Sequence, residues 1–503
     1  MNILLVYPRC PDTFWSFKHA LGFISKKAAL PPLGLITVAA MLPDDWKKKV
    51  VDMNTAYLWD KEIKWADYVF ISAMAVQQKS VRDIIKRCNK LGIKVVCGGP
   101  LFTAEHYEFE GVDHFVLGEA EVTLAPFIED VKNGCAKHVY TTDERPSITE
   151  TPIPAWHLID MEKYFLLNVQ YSRGCPMDCE FCDITVLNGR VPRTKTSDQM
   201  IAELEALYKI GWRNEALVVD DNFIGNKNKL KNEILPAMIE WMKLRNYPFT
   251  LFTESSINLA DDDELMQLMV NANFNRVFVG IETPNEDSLV ECNKFQNNKR
   301  DLISSVKKIQ NYGMMVDGGF IVGFDQDPKS IFQRQIDFIQ KSGIVTAMVG
   351  MLNAPVGTKL YKRLEKEERL LTRITGDNTD GSINFTPKMP MNDLVKGYEK
   401  ILHGIFKHKN YYARIKTLLR ELKPKFNKRK KKLALPKLDW ATIKAFMKSN
   451  WHIGVKEKGQ LHYWKLLAWT MLKHPRAMTL SITLAIYGFH FRKVAAASTQ
   501  LMF

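Results

Sequence analysis

The sequence predicts an α/β protein in three parts: an N-terminal doubly wound, Rossmann-like domain, a full or partial (β/α)6 TIM-type barrel, and a mainly helical C-terminal region. Three observations carry this. Short apolar runs alternate with helical patterns over the first 135 residues, a second alternating series begins at residue 165, and the pattern turns helical and basic beyond 365. At 503 residues the chain is too long for one ordinary core. With 46% apolar and 25% charged residues it has a globular composition, not a disordered one.

In the first series the strand-like runs are 3–7, 49–51, 68–72, 95–97 and 115–117, with helical patterns such as 81–91 and 123–131 between them. Such alternation calls for a parallel sheet with helices on both faces. This domain is placed at 1–140. Pro146, Pro152 and Pro154 mark a linker over 141–164. In the second series strands are expected at 167–172, 216–219, 249–253, 276–279, 318–322 and 346–351. Helices are expected at 197–210, 227–242, 260–270, 299–312 and 329–341. Six β/α units fit a barrel over 165–365, with its site at the C-terminal ends of the strands. Residues 366–503 form the basic helical region. The start of the chain reads as a strand, Ile3-Leu4-Leu5-Val6-Tyr7, not as a secretory leader. Eight sparse cysteines show no framework of pairs, so a reducing cytoplasm is the expected compartment.

The net charge of +14 is unevenly placed: residues 391–503 hold 24 Lys/Arg against 5 Asp/Glu. A basic region of this kind suits an anionic partner, nucleic acid or an anionic membrane surface; the plainer reading is a solubilising face.

The chemistry concentrates in Tyr171-Ser-Arg-Gly-Cys175-Pro-Met-Asp-Cys179-Glu-Phe-Cys182, directly after the first strand of the second series. Three thiolates in C-x3-C-x2-C spacing can hold three irons of a cubane and leave the fourth without a protein ligand. Four cysteines would make an electron-transfer centre with no vacancy. A zinc site would need another N or S ligand, and no histidine lies between His157 and His403.

These residues resemble the signature of the radical S-adenosylmethionine (SAM) superfamily. The resemblance implies a 4Fe–4S cluster on Cys175, Cys179 and Cys182, with SAM on the open iron. It places Phe181 near the adenine, although such a ring can equally pack in the core. Asp220, Asp221 and Asn222, after the second strand, fall where the superfamily receives the SAM amino group, and acceptor oxygens suit that role. The same residues could instead cap the next helix. Glu254 and Ser255 end the third strand, on the ribose or carboxylate side of SAM. Gly280 and Glu282 end the fourth, where a glycine permits close backbone approach. Residues 318–325 resemble the adenine-side segment. Hydrogen abstraction by a SAM-derived radical requires no general base, and none is nominated.

The N-terminal domain resembles the cobalamin-binding domain of cobalamin-dependent radical SAM enzymes. Gly98 and Gly99 after its fourth strand, Gly118 and Glu119 after its fifth, and Ser72 after its third would meet the nucleotide tail of cobalamin. The D-x-H-x-x-G motif that supplies a histidine to cobalt is absent. Cobalamin is therefore expected without that ligand, the alternative being a structural relic. Phe14-Trp15-Ser16-Phe17, Pro31-Pro32-Leu33-Gly34-Leu35 and Ala354-Pro-Val-Gly-Thr358-Lys-Leu-Tyr361 narrow the resemblance to the hopanoid 2-methyltransferase group and its uncharacterised relatives. What that implies is radical methylation of an unactivated carbon through methylcobalamin, with an electron donor such as flavodoxin or ferredoxin.

For the substrate the C-terminal region is the independent clue. Residues 423–432 hold seven cations in ten positions, followed by Trp440, Trp451, Tyr463, Trp464 and Trp469 and the apolar run 477–489. That run is shorter than the ~20 residues that span a bilayer. Cations, aromatics and a short apolar segment suit the inner face of a membrane, and hence a lipid or other hydrophobic substrate. The alternative is a buried helix in a helical cap. Two other readings remain: radical C–C coupling or cyclisation without methyl transfer, and RNA modification. The second is disfavoured because the tail carries no RNA-binding motif.

Overall fold

The computed structural model describes residues 1–422 and 440–501; the cation-rich stretch 423–432 lies outside the described residues. The chain forms two compact units, one of Met1–Pro11, Leu30–Gly225 and Ala354–Asp377, the other of Asp12–Ala29, Asn226–Asn353 and Asn378–Phe503.

The first unit is built on a six-stranded sheet of β1 (Asn2–Tyr7), β2 (Lys47–Asp52), β3 (Tyr68–Ser72), β4 (Lys94–Gly98), β5 (His114–Val116) and β6 (Val139–Tyr140), ordered β2-β1-β3-β4-β5-β6. Every pairing is parallel. Its first five strands follow the flavodoxin-like order, in which ligands bind beyond the carboxyl ends of the strands. Alternate residues of β1 explain its unbroken apolar run. Ile3 and Leu5 enter one core with Leu35, Ala39 and Phe127, while Leu4 and Val6 enter the other with Val81, Ile84 and Phe102. A strand covered by helices on both faces has no polar side to show. The sixth strand, β6, was not expected from the sequence; its two residues are too few to give a period.

The same unit holds the start of the second series. β7 (Leu167–Val169) leads into β8 (Ser172–Arg173), which pairs antiparallel with β9 (Arg193–Thr194), and β10 (Ala216–Val218) pairs parallel with β7. The Lys359–Lys366 helix also belongs here.

In the second unit β11 (Leu251–Ser255), β12 (Phe274–Glu282), β13 (Met315–Val322) and β14 (Ala347–Met351) pair parallel in sequence order. The helices Asp263–Asn271, Leu302–Tyr312 and Ile331–Ser342 connect or flank them. The helix expected over 227–242 is interrupted by a π segment, Leu230–Ile234.

The C-terminal part is helical: Met391–Phe406, His408–Glu421, Trp440–Trp451, Gln460–Lys473 and Met478–Leu501. The apolar run 477–489 is core. Ser481, Leu484, Ala485, Ile486 and Tyr487 are buried, so of the two readings of that run the buried helix holds. The Phe14-Trp15-Ser16-Phe17 segment packs on this helix, Phe14 stacking on Phe491 with ring centroids 4.2 Å apart and Phe17 meeting Tyr487 at 4.9 Å. His490 faces the Phe14 carbonyl at 3.0 Å. Rings at 14 and 17 find their apolar partners at the far end of the chain, which groups 12–29 with the second unit.

Candidate cluster and cofactor site

The β8–β9 pair clasps the cysteine loop by placing Ser172 opposite Thr194 and Arg173 opposite Arg193. Gly174 turns the chain into the loop at φ +96°, where a Cβ would stand 2.7 Å from the Val191 carbonyl oxygen. No side chain fits there. Inside the loop the Cys175 amide donates to the Gly189 carbonyl at 3.2 Å and the Cys182 amide to the Cys179 carbonyl at 3.2 Å. Cys175, Cys179 and Cys182 are half-buried, as is Phe181. Burial pushes the Cys175 thiol up; the Asn222 amide, 3.9 Å from its sulfur, acts in the opposite sense. Among the described residues no three His, Cys, Asp or Glu side chains converge on a single-ion site. A cubane with one open iron calls for a different arrangement, three thiolates for three irons on a half-exposed loop, and the cysteine trio fits that donor chemistry.

Three consecutive residues at the end of β10 hold this loop. Asp220 is buried and accepts from the Tyr171 amide at 2.8 Å and the Ser172 hydroxyl at 2.5 Å. Burial pushes its carboxyl up to about 7, with those hydrogen bonds opposing. Asp221 accepts from the Gly174 amide at 2.8 Å and the Asn188 side chain at 3.0 Å, and burial raises it too. Asn222 is the one beside Cys175. The carboxylates expected to meet an amino group are thus anchored to the backbone just before the cysteines and to the Asn188 side chain after them, and neither caps a helix.

A buried ion network ties the loop to the N-terminal sheet. Because Arg173 and Arg193 face each other across two strands, their like charges would repel without an anion between them. Glu119 supplies it, with Arg173 at 2.8 Å and Arg193 at 2.7 and 2.9 Å. Arg173 also meets Glu121 at 2.9 Å. Burial pushes the Glu121 carboxyl up, but Arg173 and the Thr151 hydroxyl more than reverse this and hold it below the usual range.

Ser72, Gly98, Gly99 and Gly118 lie together at the carboxyl edge of that sheet, with Ser72 opposite Gly98 and Gly98 opposite Val116. A Cβ on Gly98 would stand 2.7 Å from the Val116 carbonyl oxygen, and one on Gly99 would stand 2.6 Å from the Ser72 hydroxyl. By contrast, a Cβ on Gly118 would meet nothing closer than 3.9 Å. A bare backbone edge with one hydroxyl fits a bulky nucleotide tail. Gly99 has φ 89° and ψ −177°, a region open almost only to glycine. Gly99→Ala is expected to destabilise the protein by about 1–3 kcal/mol. It should also lower the cobalamin retained per chain, read by thermal unfolding and visible absorbance respectively.

In the second unit, Glu254 is exposed and Ser255 buried at the end of β11. Glu282 is buried at φ +63° and pairs with Lys294 at 2.5 Å. A Cβ on Gly280 would meet that pair at 2.3 and 2.7 Å, so the glycine makes room for the ion pair itself. On the outside of the cysteine loop the Lys359–Lys366 helix adds a clamp. Lys359 binds Asp178 at 2.5 Å, Arg363 binds Glu180 at 2.7 Å, and the Leu360 amide donates to the Glu180 carbonyl at 3.0 Å. Arg173, Arg193, Glu121, Asp178, Glu180, Lys359 and Arg363 were not singled out from the sequence. Most lie within or beside the quoted motifs with no role assigned to them, and their partners lie up to 183 residues away.

Three family profiles match the chain: the B12 binding domain over residues 23–128, the radical SAM superfamily over 169–339, and a domain of unknown function, DUF4070, over 358–501. An uncharacterized methyltransferase of Synechocystis sp., sll1242, is 40% identical over 98% of this chain and 91% of its own length. Hopanoid C-2 methylase of Rhodopseudomonas palustris is 36% identical, covering 76% of this chain and 73% of its own. The cobalamin-dependent SAM radical enzyme OxsB, solved with aqua-cobalamin and SAM, superposes with a TM-score of 0.61 at 15% identity, covering 100% of this chain and 81% of its own. At that identity the likeness speaks for the fold. With the cysteine loop, the parallel cobalamin-type sheet and these relatives in agreement, the chain belongs to the cobalamin-dependent radical SAM methyltransferases, the family that includes hopanoid C-2 methylase.

Proposed function

We propose that this enzyme, a cobalamin-dependent radical SAM C-methyltransferase, acts on an unactivated carbon of a lipid-like substrate. Its cofactors are a 4Fe–4S cluster, SAM and cobalamin. One observation carries the substrate class: the 36% identity to a protein named for methylating a hopanoid. When bound, the three cofactors supply a hydrogen-abstracting radical and a methyl donor.

The chain's own residues bind and position. Cys175, Cys179 and Cys182 would each hold one iron of the cluster, whose remaining iron would be open to SAM. In the first unit Phe181 and Asn222 would meet SAM, with Asp220 and Asp221 serving it through the loop backbone they hold; in the second unit Glu254, Ser255, Gly280 and Glu282 are the candidates, the last two already engaged around the Lys294 ion pair. Ser72, Gly98, Gly99 and Gly118 receive cobalamin, with Glu119 at the margin of that surface. The electron comes from a donor of the flavodoxin or ferredoxin type.

The test compares lipids from a deletion strain with those of its parent. A lipid that shifts down by one methylene in the deletion, and regains it when purified enzyme and methyl-labelled SAM are supplied anaerobically, is the expected result. An unchanged lipid profile, with labelled methyl appearing in a non-lipid acceptor, would overturn the substrate class.

A further inference from the structure

The Trp440–Trp451 helix continues into a π segment, His452–Lys456, and is followed by the Gln460–Lys473 helix. The inner faces of this pair are used, with Ala445, Ser449, Ile453, Tyr463, Leu466, Leu467 and Thr470 buried. A helix with one face so committed ordinarily turns a polar face outward. This pair does not. Met447, Trp451 and Val455, four residues apart, form one exposed stripe, and Leu461, Trp464 and Leu472 form a second. Trp451 is 54% exposed and Leu472 79%. The two stripes adjoin where the Trp464 indole donates to the Gly454 carbonyl at 2.8 Å and lies so close that a Cβ on Gly454 would be 2.8 Å from the ring.

Residues 440–476 carry seven Lys and Arg against a single acid, Glu457. That acid faces Arg492 at 2.8 Å and His408 at 3.3 Å. Lys456 stands 5.1 Å over the Trp451 ring, keeping a cation at the apolar stripe. Among the described residues no helix is long and apolar enough to cross a membrane. Exposed apolar side chains with tryptophans, rimmed by lysines, are the chemistry of a helix that lies in the headgroup layer of an anionic bilayer.

We propose that this helix pair is a membrane-docking surface for an anionic lipid bilayer, with Met447, Trp451, Val455, Leu461, Trp464 and Leu472 as its apolar contact. The docking surface stands whatever the methyl acceptor is. Phosphatidylcholine vesicles with and without phosphatidylglycerol, containing no acceptor, test it by cosedimentation of the full chain. The wild type should bind the vesicles with phosphatidylglycerol, weakly bind those without, and dissociate in high salt. The triple variant Trp451→Ser/Val455→Ser/Leu472→Ser should bind at least tenfold more weakly with its circular dichroism unchanged. Three outcomes would overturn the proposal: no wild-type binding, a triple variant that binds as tightly, or a wild-type dimer by light scattering that the triple variant converts to monomer. The last would make the face a contact between copies of this chain.

Discussion

Cys179→Ala is expected to reduce 5′-deoxyadenosine formation and methyl transfer to the level of an enzyme-free assay. With three thiolates for four irons and no other cysteine in the loop, removal of one would leave two corners open. Anaerobic reconstitution of the variant should yield substoichiometric iron and little visible charge-transfer absorbance. The far-ultraviolet circular dichroism should match the wild type, because the loop is framed by Asp220, Asp221 and the β8–β9 pair, not by the thiols. Cys175→Ala and Cys182→Ala should behave alike. A variant that kept full iron and turnover would mean that the trio does not hold the cluster.

Arg173→Met carries the second-largest expected effect, and it acts through structure. Arg173 pairs with Glu121, and it shares Glu119 with Arg193. All these side chains are 15% exposed or less. Removing one partner of a buried pair strands the other, at a cost of about 3–5 kcal/mol. Its loss should lower the first unfolding transition and loosen the cysteine loop two residues away. Iron content should fall while cobalamin content falls less. Glu119→Gln separates the two roles of that residue: as a brace it costs iron first, and as a cobalamin contact it costs cobalamin first. Equal stability of Arg173→Met and the wild type in denaturant would show that the network contributes nothing.

Much of this was legible in the residues. The alternation of apolar runs and helical patterns gave both parallel sheets, because a strand covered on both faces has to be apolar throughout, as Ile3–Val6 are. Cysteine spacing pointed to the cluster, since candidate ligands close in sequence need no folding to be recognised. The apolar run 477–489 could not be assigned on its own. The same composition serves a core or a membrane interface, and only the burial of Leu484 and the packing of Phe491 and Tyr487 against Phe14 and Phe17 decided for the core. Asp220 and Asp221 were recognisable as important, but their partners were not.

The sequence by itself determined the family and the chemistry its motifs point to: the cysteine spacing, the strand that precedes it, and the relatives they mark. Those signals are local, carried by spacing within a few residues. The tertiary structure alone decided how the ligands are held and where the apolar surface is. Arg173 meets Arg193 only through strand pairing, Glu119 reaches both from another sheet, and Arg363 reaches Glu180 across 183 positions. Contacts of that kind leave no periodic trace, because each depends on where the backbone places two distant side chains and on the cost of burying either one unpaired.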